Sequence, residues 1–109
     1  MQRAVLISSM TLVALLLASG QMQAQQPKQG LALAKKACAQ CHAVEKGRRA
    51  SPNPAAPRFE DIANIPGMTA MAMTVALRTS HATMPNVMLD SDELASVVAY
   101  ILSLKRAGR

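Results

Sequence analysis

Cys38-Ala39-Gln40-Cys41-His42 holds both cysteines of this 109-residue chain, and its reading decides the fold. Two thiols two residues apart, with a histidine directly after the second, form the C-x-x-C-H signature of covalent haem attachment. Each thiol can form a thioether with a haem vinyl group, and the adjacent imidazole is then held against the iron as proximal ligand. A disulfide or dithiol redox pair beside an incidental histidine is the plainer alternative, but it gives His42 no task. A zinc site built from Cys38, Cys41, His42 and His81 fits worse, because zinc motifs do not set a histidine directly against the second cysteine.

The first two dozen residues indicate the compartment. Met1-Gln2-Arg3 is a short, positively charged start, Ala4 to Ala18 is almost wholly apolar, and Gly20-Gln21-Met22-Gln23-Ala24 turns small and polar. This pattern predicts a secretory signal peptide over residues 1–24, cleaved after Ala24 or, alternatively, after Gly20. The apolar run falls short of the roughly 20 residues that span a bilayer. Stable membrane insertion is therefore expected only if the leader stays on as an anchor.

Residues 25–109 then form one small domain, in a size range where an apolar core alone is marginal. The chain has one Phe, one Tyr and no Trp, so large aromatics cannot supply that core. A covalent porphyrin surrounded by Leu, Ile, Val and Met can. The formal net charge of +6 falls by one when Arg3 leaves with the leader. A basic surface suits nucleic acid, anionic lipid or an acidic protein. Nucleic acid is the poorest of these for an exported chain without stacking aromatics.

Hydrophobic periodicity predicts only helices. Gln29 to Ala39 reads as a helix entering the attachment motif, with Leu31, Leu33, Ala34 and Ala37 apolar. Glu45 to Pro57 is a basic, proline-rich loop. Arg58 to Asn64 makes a short helix, and Ala70 to Thr79 a third, with Thr69 as N-cap and Met71, Val75 and Leu77 as apolar members. In the last helix Asp90 caps, Glu93 completes a capping box, and Leu94, Val97, Val98, Ile101 and Leu104 form one stripe. Lys105 and Arg106 are expected in its last turn, where cations suit the helix dipole.

An electron-transfer haem needs a second axial ligand, and Met68, Met71, Met73, Met84, Met88 and His81 are the candidates. Met68, Met71 and Met73 sit at helical spacings that suit core packing. Met84 precedes Pro85, which biases it toward extended backbone and ends the preceding helix. A neutral thioether there would favour the reduced iron and raise the potential. His81 would instead give a bis-histidine site of lower potential, and Met88 remains a third choice.

Taken in order, Gly30-x7-Cys38-x-x-Cys41-His42, Ala56-Pro57-x-Phe59, Met84-Pro85 and Leu94-x5-Tyr100-Ile101 resemble a small bacterial class I c-type cytochrome across the whole mature domain. The resemblance implies an all-α, cytochrome c-like fold of three to four short helices wrapped around one covalent haem c. It implies crossing terminal helices, with Gly30 allowing close approach and Tyr100 packing at the crossing. It also implies a proline carbonyl, Pro57 or else Pro52, accepting a hydrogen bond from the proximal histidine. Ala34 stands where the family usually has an aromatic, and the tryptophan that often contacts a propionate is absent.

The implied function is that of a periplasmic one-electron carrier and not an enzyme, with His42 and Met84 on the iron and Cys38 and Cys41 as attachment points. Lys35, Lys36, Lys46, Arg48, Arg49 and Arg78 are candidates for a basic ring that docks on acidic surfaces of oxidases or dehydrogenases. Plain solvation is the alternative for each. The chain is expected to be a monomer or a small subunit. Two other readings are a haem subunit held by an exported dehydrogenase and a haem sensor or enzyme with an open distal site.

Overall fold

Helices account for the regular structure of the computed structural model, which describes residues 26–108. The expected leader and its cleavage site lie outside these residues. Helix α1 covers residues 26–37, α2 Phe59–Ala63, α3 Ala70–Arg78 and α4 Ser91–Ser103. Among the described residues there is no strand, only an isolated bridge between His81 and Met84.

Helix α1 ends two residues before the expected Ala39 and tightens into the motif. The Ala34 carbonyl accepts from Cys38 N (2.8 Å) and Ala39 N (3.0 Å), and the Cys38 carbonyl accepts from Cys41 N (3.2 Å) and His42 N (2.9 Å). Helix ends leave carbonyls without intrahelical partners, and here the motif backbone takes them up. The turn that presents two thiols and an imidazole is thus anchored to a helix.

Helix α4 follows its sequence closely. Asp90 Oδ1 accepts from Asp92 N and Glu93 N, both at 2.9 Å, while the Glu93 carboxylate accepts from Asp90 N at 3.1 Å. Leu94, Val97, Val98, Ile101 and Leu104 are all buried. The C-terminal expectation fails, because α4 stops at Ser103 with no basic residue in its last turn. Lys105 Nζ instead donates to the Met68 carbonyl, and Arg106 N donates to Asn64 Oδ1 at 2.9 Å. Both fasten the tail to the α2–α3 connection.

Terminal helices meet at Gly30. A Cβ placed there would lie 2.0 Å from the Ser96 carbonyl oxygen and 2.7 Å from Tyr100 Cβ. Ala34, one turn along α1, is completely buried, so a small residue fills the place an aromatic usually takes. Tyr100 donates its hydroxyl to the Val44 carbonyl at 2.6 Å, tying α4 to the chain just past the motif. Burial also pushes the Tyr100 hydroxyl pKa up.

Helix α3 needs a correction. Thr69 caps it as expected, accepting from Ala72 N at 3.1 Å, but Met71 is 72% exposed and Val75 57% exposed. Met73 is the buried member, and Leu77 packs beside it. Residues 71 and 75 share a face one turn apart, and α3 turns that face to solvent while its opposite side packs on α4.

Candidate haem site

The proximal side is built by the loop after the motif. Ala43 N donates to Ser51 Oγ (2.9 Å), Asn53 N to the Cys41 carbonyl (3.1 Å) and Phe59 N to the Ala43 carbonyl (3.0 Å). Arg58 closes the loop with a two-pronged hold on Asp61, at 2.7 and 2.5 Å, and a third bond to the Arg48 carbonyl. That guanidinium holds the Asp61 carboxyl below its ordinary value.

So pinned, the Pro57 carbonyl lies 2.7 Å from His42 Nδ1. A carbonyl can only accept, so Nδ1 carries the hydrogen and Nε2 keeps an unshared lone pair. That tautomer leaves the ring's outer nitrogen ready for a metal, with its orientation set by the loop. Phe59 packs its ring against the imidazole at 5.5 Å between centroids, tilted by 52°.

His42 opens onto a cavity of about 350 Å³ that Cys38 and Cys41 also line. Both cysteines are free and partly buried, and burial pushes the Cys38 thiol pKa up. Phe59, Ile62, Met68, Met73, Leu77 and Ile101 supply most of the apolar wall, and among the described residues no Lys, Arg, Asp or Glu contributes to it. Two thiols, an imidazole with a free lone pair and an aliphatic wall match the demands of a covalently held haem.

Of the six distal candidates, Met68, Met73, His81 and Met84 line the cavity, whereas Met71 and Met88 do not. Met71 and Met88 both face solvent, Met88 with 90% of its surface exposed. Pro85 does not end α3 directly. The helix stops six residues before Met84, at Arg78, where Thr79 goes extended and its Oγ1 donates to the Val75 carbonyl at 2.7 Å. His81 Nε2 lies 2.8 Å from the Ala76 carbonyl, so here Nε2 is the protonated nitrogen.

Lys35, Lys36, Lys46, Arg48, Arg49 and Arg78 are all exposed, and none lines the cavity. Lys35 is engaged with Glu45 at 2.9 Å and lowers the Glu45 pKa. Asn64 had no sequence signal, yet it ties the end of α2 to the C-terminal tail. Its amide donates to the Glu60 carbonyl (2.6 Å) and the Leu104 carbonyl (3.3 Å), and its oxygen accepts from Arg106 N.

Among the described residues, no group of three or more His, Cys, Asp or Glu side chains converges as a metal site. No helix among them is long and apolar enough to cross a membrane. Residues 25–101 match the family model described as cytochrome c oxidase, cbb3-type, subunit III. The chain is also 33% identical over 76 residues to cytochrome c-552 of Bradyrhizobium diazoefficiens, covering 70% of this chain and 72% of that protein. No solved structure gives a significant match.

Proposed function

As a member of the cytochrome c family, this chain carries a covalent, iron-containing haem c and serves haem-based electron transfer, and from that premise we propose a His42–Met84 electron carrier. Cys38 and Cys41 would hold the haem through thioethers, and His42 Nε2 and the Met84 sulfur would ligate its iron. So held by this chain, the group would supply one-electron exchange between ferrous and ferric iron.

The observation that carries this reading is the 2.7 Å contact between His42 Nδ1 and the Pro57 carbonyl. It frees Nε2 inside a cavity that the two thiols and Met84 also line. The chain's residues then have defined tasks. Pro57 orients the imidazole and raises its basicity, while Phe59 and the aliphatic wall exclude water and so favour the less charged, reduced centre. Residues 1–24 direct export to the periplasm. Exposed Lys36, Lys46, Arg48 and Arg49 steer the protein toward acidic faces of redox partners.

Absorption spectra of purified wild type and Met84→Ala test the ligand set. Wild type should show a weak far-red band in the oxidised form. Met84→Ala should lose it, turn high-spin and bind added imidazole or cyanide readily. An unchanged spectrum would remove Met84 from the iron. The family description names an oxidase subunit, which favours a second reading, a haem subunit held permanently in a complex. Gel filtration of the native protein separates a free carrier from such a subunit.

A further inference from the structure

We infer that His81 is the positioning residue for Met84, locking the turn that bears the thioether onto the C-terminal end of α3. The inference rests on the reading of Met84 as distal ligand.

Regular structure ends at Arg78, and no helix forms again until Ser91. Met84 therefore sits on irregular backbone. The nearest backbone restraint is the bond from Met84 N to the His81 carbonyl, a long one at 3.3 Å. By itself that bond closes a turn without fixing where the turn sits. The His81 side chain supplies the missing connection, because its Nε2–H donates to the Ala76 carbonyl at 2.8 Å. Ala76 belongs to the last turn of α3, whose other side packs on α4. One residue thus holds Met84 through its own carbonyl and holds the helix through its imidazole.

Thr79 Oγ1 also bonds back to α3, at the Val75 carbonyl. Thr79 is the helix C-cap, however, so its bond secures the helix end and does not reach the Met84 turn. The His81 bond has a second consequence. It uses the outer ring nitrogen, so in this arrangement His81 lines the cavity without presenting Nε2 to it.

The test uses haem-loaded protein, with stopped-flow binding of imidazole to the ferric form and the far-red band as readouts. Displacement by imidazole requires the native thioether to leave, so a looser turn shows as a faster rate. His81→Ala should accelerate binding about tenfold, equivalent to about 1.4 kcal/mol, and weaken the far-red band while leaving the haem low-spin. His81→Gln places an amide donor near the Nε2–H position and should stay within about twofold of wild type. Thr79→Val should also change the rate less than about twofold. If His81→Ala does not retain haem, His81→Asn, whose amide is too short to reach Ala76, replaces it in the comparison with Gln.

Three outcomes overturn the inference: wild-type rates in His81→Ala, equal acceleration in Thr79→Val, or loss of the low-spin state in His81→Ala beside an unchanged Met84→Ala spectrum, which together would make His81 the ligand. A silent His81→Ala beside a high-spin Met84→Ala defeats the latch alone. An unchanged Met84→Ala spectrum defeats the ligand assignment beneath it.

Discussion

Position 30 has no room for a methyl group. The Ser96 carbonyl carbon stands 2.6 Å from where its Cβ would be, and the oxygen is nearer still. Gly30→Ala gains about 1 kcal/mol of helix propensity, but it must push α1 and α4 apart, and overpacking typically costs about 1–3 kcal/mol. Denaturant melts of the holoprotein should show net destabilisation with the haem still attached. An unchanged midpoint would mean that the crossing can relax freely. The resemblance singled out Gly30, Tyr100 and Pro57. Asn64 was invisible, because its partners Leu104 and Arg106 lie 40 and 42 residues along the chain, and contacts at that separation leave no local pattern.

Helices α3 and α4 differ in how well their own periodicity described them. In α4 every stripe residue faces the core, because the whole apolar face is covered by α1, α2 and α3. In α3 the apolar residues run around the helix, so periodicity alone could not choose a face, and Met71 and Val75 came out exposed. Helix α2 has five residues, too few to persist without tertiary contacts, and Arg58 with Asp61 reinforces its start. Since Arg58 lowers the Asp61 pKa beneath its ordinary 3.8, this carboxylate stabilises the fold above that value. The contribution fades as pH falls through the lower folded value. Asp61→Asn should therefore destabilise the protein at pH 7, and the gap to wild type should close toward pH 2. Urea melts at the two pH values measure it, and a gap that persisted at pH 2 would point to lost hydrogen bonding instead of charge.

At the scale of the molecule the cavity dominates. A domain of this size has little surplus stability, and a cavity of about 350 Å³ opens among its helices and loops. Filling it with haem turns its aliphatic wall into core. Cys38→Ser combined with Cys41→Ser, which blocks attachment, should abolish the cooperative thermal transition seen by circular dichroism and leave residual helix only. A cooperative melt in that variant would show that the polypeptide core suffices.

By itself the sequence determined the haem motif, the helical class and the capped, striped α4, because each is written in contiguous residues at short spacing. Only the tertiary structure decided which proline meets His42, which methionines reach the cavity, and where Lys105 and Arg106 anchor. Those outcomes depend on how the loops close between helices, and loop closure brings together residues whose separation along the chain carries no periodic signal.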